Sequence, residues 1–435
     1  MKEKTETDFE IQLAPKSEFY NKKFGYKSAY LKQDVTKEGD ILNIRINGTP
    51  GTSEPLIVSN KFNTLFTFCN NYQNHSAGTM FESEDGGLNW KEIDIPLSES
   101  NKNVFYADPY AATDEEGNVY YTAIEMDNSS IYKVIYNKYD IDSKKWFEKS
   151  VVIEENNNGE IKFDKPKVLF VNNHLYLSYV KKDDGERLWL AKINKDGKFE
   201  KTQITDEETH SASLVNDKSG NLYCIYLKER TELYIKYSKD GGNSWSDKKL
   251  VAEFEMPGRR INKQPVIKFG NNLGIRINSD PQVVVHNDEI YVVYCAKGVK
   301  DDSDIYFTRA NINTLDFSAP VIPHFNTANT DHFLPSLSVD NSGNIFITYQ
   351  DSRDDNLNVF VNTYCSYSDN NGLSFKDIKL STKSFNAYDI VINGIYLGDY
   401  NSSVISNGKL ISAWTDGRNK NFDIYASIVS ISDLK

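Results

Sequence analysis

DNSGNIFITYQ, residues 340–350, contains the pattern that decides the fold, a tight polar turn followed at once by a strand of aromatic and β-branched residues. DEEGNVYYTAI (114–124) and DKSGNLYCIYL (217–227) repeat it. Asp, Asn, Ser and Gly favour tight turns, whereas Tyr, Phe, Ile, Val and Thr favour strands. Because turn residues return about every 8 to 12 positions, the spacing is typical of short strands and too dense for helices. The sequence therefore predicts an all-β protein.

Seven segments of the chain share one order of features, namely a short first strand, a turn, a second strand, a polar loop and a third strand. Their first strands begin near Glu54, Asp108, Lys165, His210, Asp280, Phe333 and Tyr400. Repeats of about 45 to 70 residues with four strands each are typical of β-propellers. The repeat favours seven blades, with six as the alternative if the third segment is an insertion.

The two ends of the repeat region predict how the ring closes. The seventh segment ends with its third strand, DIYASIVSIS (423–432), and lacks a fourth. ILNIRIN (41–47) alternates apolar and polar residues and has no other partner, so we expect it to complete the last blade and leave no open sheet edge. Residues 1–40 are then an N-terminal extension, and residues 41–435 form a single propeller.

Composition excludes several classes of partner. The 435 residues carry a net charge of -12, which disfavours nucleic acid and anionic membranes as partners. No apolar run reaches the roughly 18 residues of a membrane span, and MKEKTETDFE has no apolar core of a signal peptide. The compartment stays unknown, either the cell interior or, for a trimmed secreted protein or lipoprotein, outside it. Buried thiols are expected at all cysteines, because each lies in an apolar strand-like run: Cys69, Cys224, Cys295 and Cys365.

Three turns carry a second motif. SEDGGLNW (83–90) and SKDGGNSW (238–245) share the pattern S-x-D-x-G-x-x-W, and SDNNGLSF (368–375) is a near copy. Ser and Asp oxygens can bond turn amides, Gly can take a positive φ, and Trp can pack between sheets. This motif resembles the Asp-box, and the chain from about residue 50 to 431 resembles the bacterial sialidase (BNR-repeat) propellers.

The resemblance implies a site on the face opposite these turns, where a sialidase holds the substrate carboxylate with arginines and uses a tyrosine nucleophile, an assisting glutamate and an acid/base aspartate. Tyr400 in GDYNSSV (398–404) is similar to the nucleophile, and Arg353 in YQDSR (349–353) to a substrate arginine. The remaining candidates are catalytic Asp399, Asp351 and Glu125, and substrate-binding Arg276, Arg418, Arg259 and Arg260. The F/Y-R-I-P signature of the first sialidase blade is absent. The sequence therefore predicts recognition of an acidic glycan or related glycoside, with hydrolysis if the site is complete.

Two further classes of function stay open. Asp108, His210, Asp280 and His332 are expected near the axial channel, where they could hold Ca²⁺ or a transition metal in a metal-dependent enzyme; otherwise no cofactor is required. The third class is a non-catalytic propeller that binds a glycan or a protein. In that case QDSR (350–353) and TDGR (415–418) are loop ion pairs and Tyr400 packs at the channel.

Overall fold

The computed structural model describes residues 34–48, 51–71, 79–96, 104–127, 131–156, 162–194, 197–261, 264–269, 272–325, 330–387 and 397–434. These residues form antiparallel sheets, so the protein is all-β. Tyr72, His75 and Lys263, which lie in predicted loops, fall outside the described residues. Within the described residues, no helix is long and apolar enough to cross a membrane.

Seven sheets follow one another along the chain, and an eighth is inserted between the fourth and the fifth. The described part begins with β1 (Val35–Glu38) and β2 (Ile41–Arg45). Sheet 1 contains β3 (Thr52–Ser59), β4 (Leu65–Asn71), β5 (Thr79–Ser83) and β6 (Lys91–Asp94). Sheet 2 contains β7 (Val104–Thr113), β8 (Val119–Asp127), β9 (Ile131–Asp140), β10 (Lys145–Trp146) and β11 (Ser150–Asn156). Sheet 3 contains β12 (Phe163–Val171), β13 (His174–Asp183), β14 (Gly185–Ile193) and β15 (Phe199–Gln203). Sheet 4 contains β16 (Thr209–Asn216), β17 (Leu222–Lys228), β18 (Glu232–Ser238) and β19 (Lys249–Glu253).

The second half of the chain repeats this plan after an insertion. The inserted sheet contains β20 (Arg259–Ile261), β21 (Gln264–Phe269) and β22 (Asn272–Arg276). Sheet 5 contains β23 (Gln282–His286), β24 (Glu289–Ala296) and β25 (Asp304–Asn311). Sheet 6 contains β26 (His332–Val339), β27 (Ile345–Asp351), β28 (Phe360–Ser368), β29 (Lys376–Lys379) and β30 (Phe385–Asn386). Sheet 7 contains β31 (Ser402–Ser406), β32 (Lys409–Asp416) and β33 (Asp423–Ser430), and the helix α1 (Ile431–Leu434) follows.

The first strands of the seven sheets contact one another in a cycle. In order, β3 contacts β7, β7 contacts β12, β12 contacts β16, β16 contacts β23, β23 contacts β26, β26 contacts β31, and β31 returns to β3. Small polar side chains allow these strands to approach each other closely. The Ser403 hydroxyl lies 3.0 Å from the Ser336 hydroxyl and 2.8 Å from that of Ser338, and the Ser213 hydroxyl donates to the Pro281 carbonyl at 2.6 Å. The first strands therefore form a cycle of contacts, and six of them line a shared cavity, which we call the channel.

Sheet 7 contains strands from both parts of the chain. β2 pairs with β33, with Leu42 opposite Ile428 and Arg45 opposite Tyr425, and β1 pairs with β2 on the outside. β1 belongs to the stretch predicted to be an extension, and residues 1–33 of that stretch lie outside the described residues. The hydrophobic core lies between neighbouring sheets, where the second strands β4, β17 and β27 are almost entirely buried. All four cysteines are buried free thiols, as expected.

The two kinds of turn lie at the same face of the cycle. In the turn from β5 to β6, the Gly87 amide donates to the Ser83 hydroxyl at 2.9 Å and the Asn89 amide to Asp85 at 2.9 Å, while the Trp90 indole is fully buried. The D-x-x-G-N turns join first to second strands. In an up-and-down sheet both connections share one face, so the starts of the first strands lie at the opposite face.

Candidate active site at the channel mouth

The starts of the first strands share a local backbone distortion. Glu54, Asp108 and Lys165 have φ angles of 56°, 53° and 49°, each is followed by proline, and the strand register shifts at each of them. A positive φ is uncommon for a residue with a Cβ, and proline at the next position restricts the backbone further. Such strain is typical of functional sites. The three strained residues all carry ionisable side chains and lie at one end of the channel.

Lys165 is the centre of the ionic network at this end, which we call the channel mouth. Its ammonium nitrogen lies 2.5 Å from Asp280 Oδ2 and 3.8 Å from Asp399 Oδ2. Arg276, which ends β22, donates to Asp399 Oδ1 at 2.5 Å. The inserted sheet thus places the Arg276 guanidinium at the mouth. Burial disfavours the ammonium, but Asp280 and Asp399 outweigh burial and raise the pKa of Lys165.

Two carboxyl groups at the mouth favour the protonated form. Burial and the neighbouring Asp164 raise the pKa of Asp108 to about 8, and Asp108 hydrogen-bonds Asp164. Burial, Asp399 and Asp108 raise the pKa of Glu54 well above its usual value. Glu54 also accepts hydrogen bonds from the Asn70 amide and, at 2.8 Å, from the Asp399 backbone. Near neutral pH the mouth therefore contains carboxyl groups that can donate a proton.

The pKa of Asp280 is shifted in the opposite direction. Burial acts to raise its pKa, but Lys165 and His210 outweigh burial and lower the pKa to about 2. Oδ2 is held by Lys165, whereas within the described part of the chain no hydrogen-bond partner reaches the buried Oδ1. The side chain lines the channel cavity. Asp280 is thus an ionised carboxylate with one oxygen that accepts no hydrogen bond from the described residues. It lines the same cavity as Asp108, whose Oδ2 accepts from the Lys165 amide at 3.2 Å.

A second row of charged groups adjoins the mouth on the side of sheets 3 and 4. Lys182 lies 2.6 Å from Asp164 and 3.3 Å from Glu186. His210 is hydrogen-bonded on both ring nitrogens, to Glu186 at 3.2 Å and to Arg230 at 2.7 Å. Burial and Lys165 lower the pKa of His210. Because Arg230 can only donate, Nε2 accepts and the neutral ring donates through Nδ1 to Glu186.

The mouth leads into the channel, a cavity of about 180 Å³. Its walls combine the charged residues with apolar and hydroxyl side chains of the first strands, including Leu56, Tyr110, Ser336 and Ser403. Burial lowers the pKa of Lys167 in this wall to about 8. The cavity is therefore a polar pocket with apolar patches, a composition that suits a sugar ring.

Tyr400 lies at the mouth as expected, but its surroundings disfavour a phenolate. Its hydroxyl donates to the Pro109 carbonyl at 3.1 Å. Burial, together with Glu54 and Asp108, raises its pKa well above the usual value. Asp399 is its sequence neighbour and lies on Arg276 and Lys165. The structure brings Tyr400, Asp399 and Arg276 together, and it makes the tyrosine a poor nucleophile near neutral pH.

Arg353 and Arg418, by contrast, are held within their own loops. Arg353 donates to Asp351 Oδ2 at 2.5 Å and also pairs with Asp377. Arg418 donates twice to Asp416, at 2.7 and 2.9 Å, and its side chain is 2% exposed. Both guanidinium groups stack on tyrosine rings. Among the described residues, neither arginine contacts Tyr400 or Asp399, so Arg353 and Arg418 do not converge with Arg276 on Asp399.

The other predicted residues are also distributed away from Tyr400. Glu125 accepts from the Tyr106 hydroxyl at 2.9 Å and pairs with Lys133 and Lys149. Arg259 and Arg260 are exposed on β20, in the inserted sheet. Within that sheet Arg259 is in register with Val266, and Val266 with Arg276, so Arg259 lies two strands from the mouth.

The structure separates the predicted metal ligands into two groups. Asp108, His210 and Asp280 belong to the mouth, where lysines and arginines occupy the space between the carboxylates. His332 is buried away from them, beside Asp304. Asp108, His210, Asp280 and His332 therefore do not form one cluster among the described residues, and Lys165 supplies positive charge at the mouth.

Sequence reasoning missed Lys165, Glu54, Asp164 and Lys182 as site residues, although two of them stood at predicted strand starts. The sequence did contain a pattern that could have identified two of them. Five of the seven first strands begin with a residue followed by proline: Glu54-Pro55, Asp108-Pro109, Lys165-Pro166, Asp280-Pro281 and Leu334-Pro335. Four of these dipeptides place an ionisable residue at the mouth.

No protein-family model matches the chain, and no curated protein matches it. Solved structures resemble it at low identity. An α-L-arabinofuranosidase of Fusarium graminearum is 15% identical over 90% of this chain and 99% of that one, with a TM-score of 0.49. An α-L-arabinanase of Penicillium chrysogenum is 11% identical over 94% and 99%, with a TM-score of 0.48. An ulvan lyase described as polysaccharide lyase PL25 is 13% identical over 74% and 84%, with a TM-score of 0.46. Similarity at this level assigns no substrate and no residue role to this chain.

Proposed function

We propose that the protein hydrolyses a glycoside at the channel mouth, with Asp108 as the proton donor and Asp280 as the ionised carboxylate. One observation carries this proposal: two carboxyl groups that abut the same residue, Lys165, have pKa values shifted to about 8 and about 2. Glycoside hydrolysis typically requires such a pair, one carboxyl group protonated and the other ionised.

In the proposed reaction, Asp108 protonates the glycosidic oxygen as the bond to the anomeric carbon breaks. Asp280 lines the same cavity as Asp108. It either removes a proton from the attacking water or attacks the anomeric carbon itself, forming a glycosyl-enzyme ester that water then hydrolyses. Lys165 keeps Asp280 ionised, and Arg276 pairs with Asp399. The anomer of the first product, read by NMR, distinguishes the two courses.

We further propose that the seven sheets are the blades of one β-propeller spanning residues 41–435, closed by β2. The cyclic contacts of the first strands and the pairing of β2 with β33 support this arrangement. The hydrogen bonds in the turns at Ser83, Ser238 and Ser368 support assigning them as Asp-boxes. The raised pKa of Tyr400 and the separate arginines favour a carboxyl-based hydrolase over a sialidase.

The test is turnover of a panel of substrates by the wild-type chain and its variants. The panel includes aryl glycosides, a sialoside, arabinan and ulvan, the last two because similar structures are named for them. We expect Asp108→Asn and Asp280→Asn each to lower turnover about 10²- to 10⁴-fold, the usual contribution of a general acid or base. Asp369→Asn, at an exposed aspartate on the opposite face, is the matched control and should leave turnover unchanged.

Two results would overturn the proposal. Undiminished turnover in both mouth variants would exclude the carboxyl pair as the catalytic groups. An unsaturated uronate product, read by its ultraviolet absorbance, would indicate a lyase. If no member of the panel turns over and a glycan array shows binding lost in Asp280→Asn, the mouth is a recognition site instead.

A further inference from the structure

A cluster of two histidines and an aspartate lies outside the channel mouth, between sheets 5 and 6. Asp304 begins β25, His332 begins β26, and His324 lies in the connection between these strands. The side chains of all three are 0% exposed. Charged and polar groups are rarely buried so completely without partners that offset the cost.

We propose that Asp304, His324 and His332 form a binding site for a divalent first-row transition metal ion, with Zn²⁺ as the reference ion. Asp304 Oδ1 lies 3.0 Å from His332 Nδ1 and 3.5 Å from His324 Nε2. Ligand atoms about 2.0 to 2.1 Å from a tetrahedral zinc ion lie about 3.3 Å apart. One potential ligand atom from each residue lies within 4.8 Å of the others, so the three residues form one candidate ligand cluster.

The donor set matches the chemistry of such an ion. Two imidazoles and one carboxylate are ligands that first-row transition metals accept. Their ligating forms are the neutral imidazole and the carboxylate. The nearby Arg353 guanidinium is held by Asp351 and Asp377.

A second carboxylate lies next to the other ring nitrogen of His332, as is common for metal-binding histidines. Asp351 Oδ2 lies 3.5 Å from His332 Nε2, on the side of the ring away from Asp304. A ligating histidine usually donates its second ring N–H to a carboxylate or carbonyl, which orients the ring and fixes the tautomer. Asp351 therefore adjoins one ring nitrogen of His332 and Asp304 the other. The Ile305 amide donates to His324 Nε2 at 3.3 Å, and an ion bound at that nitrogen would replace this long hydrogen bond.

The loop that carries Asp304 is fixed by its neighbours. Asp331, directly before His332, accepts from the Asp302 and Ser303 amides, both at 3.0 Å. A Cβ on Gly298 would lie 1.6 Å from Asp301 Oδ1 and 2.7 Å from Asp304 Oδ2. Glycine at this position thus lets the loop bring a second carboxylate close to Asp304. The added negative charge favours a cation in the cluster.

The first test measures metal content and affinity in the full chain without a histidine tag. Elemental analysis of the purified protein, followed by titration of chelator-treated protein with Zn²⁺ against a chromogenic competitor, should give one equivalent per chain. His324→Gln should weaken Zn²⁺ binding at least tenfold, whereas His174→Gln, at a histidine remote from the cluster, should leave it unchanged. Absence of stoichiometric uptake by the wild-type chain, or an unchanged affinity in folded His324→Gln, would overturn the proposal.

The second test does not depend on the folding of a variant. Co²⁺ added to the chelator-treated wild-type chain should give the intense visible absorption of a four-coordinate ion, and Zn²⁺ should displace it. Zn²⁺ should also raise the Tm, because an ion that binds only the folded chain stabilises it. A weak spectrum like that of aqueous Co²⁺, with no change in Tm, contradicts the site. This outcome is independent of turnover at the channel mouth.

Discussion

The channel mouth and the two Asp–Arg loops contain the same kinds of residues, but their environments differ. At the mouth, Lys165 pairs with both Asp280 and Asp399. Among the described residues, no group donates a hydrogen bond to the buried Asp280 Oδ1. In the loops, Asp416 and Arg418 satisfy each other in a bidentate pair that is almost completely buried. A buried polar atom without a hydrogen bond beside strained backbone indicates a binding or catalytic site. Two charged groups that bond each other indicate a structural one.

The largest expected effect is a loss of stability when an Asp–Arg loop pair is broken. Arg418→Ala removes the cation beside the buried Asp416 carboxylate, which keeps hydrogen bonds from the Trp414 indole and from the backbone amide of residue 418. We expect the free energy of unfolding to fall by about 3 kcal/mol. Turnover per folded molecule should not change. Chemical denaturation measures the loss, and Arg309→Ala, which removes a half-exposed pair with Glu289, should cost no more than about 1 kcal/mol. Equal losses in the two variants would remove the distinction between the loop pairs and ordinary surface pairs.

The converse effect is expected at the mouth. Lys165→Met removes the cation beside Asp280, so burial then raises the pKa of that carboxyl group against only the weaker effects of His210 and Lys167. We expect turnover to fall about 10²-fold, the usual cost of losing one electrostatic contact to reacting groups. The acidic limb of the pH–rate profile should move to higher pH. Lys218→Met, at an exposed lysine, is the control. An unmoved acidic limb would show that Lys165 does not set the charge of Asp280.

A smaller effect concerns the pH dependence of stability. Asp108 has a pKa of about 8 in the folded chain and about 3.8 when unperturbed, so the folded state binds more protons between these values. Its contribution to stability is fully present below about pH 4 and is lost as the pH rises to about 8. The slope it causes is at most about 1.4 kcal/mol per pH unit. Asp108→Asn should lack this slope in denaturation curves measured from pH 5 to 8; the same slope in both proteins would contradict the assignment.

The smallest effect is expected at the face opposite the mouth. Ser238→Ala removes the hydroxyl that accepts from the Gly242 amide at 2.8 Å, so stability should fall by about 1 kcal/mol without a change in turnover. Ser219→Ala is the matched control, because only the backbone of Ser219 bonds within its turn. A loss of turnover in Ser238→Ala would show that the two faces are coupled.

The sequence predicted the sheets better than the site. Turn residues and strand residues act locally, so DEEGN, DKSGN and DNSGN identified the junctions of first and second strands in sheets 2, 4 and 6. The pairing of residues 41–45 with β33 was also expected, because ILNIRIN had no other partner. The inserted sheet was not predicted, since three short strands in a basic connector give little periodicity.

The site was harder to predict because its contacts join residues distant in sequence. Lys165 and Asp280 are separated by 115 positions, and nothing local to either indicates the other. Similarity to a family motif led to Tyr400 and Arg276, which do reach the mouth, and also to Arg353 and Arg418. Each of the latter pairs with an aspartate two residues before it, and Arg353 also pairs with Asp377. The Asp304, His324 and His332 cluster had no short-range spacing typical of metal ligands.

The pairing of β2 with β33 has a consequence for biosynthesis. A ribosome adding about 5 to 20 residues per second needs roughly 20 to 80 seconds to make the segment between these strands. During that interval the apolar residues Ile41, Leu42 and Ile44 have emerged without their final partner. Sheet 7 must therefore assemble late, and until then β2 is exposed to chaperones and to mispairing with other strand edges.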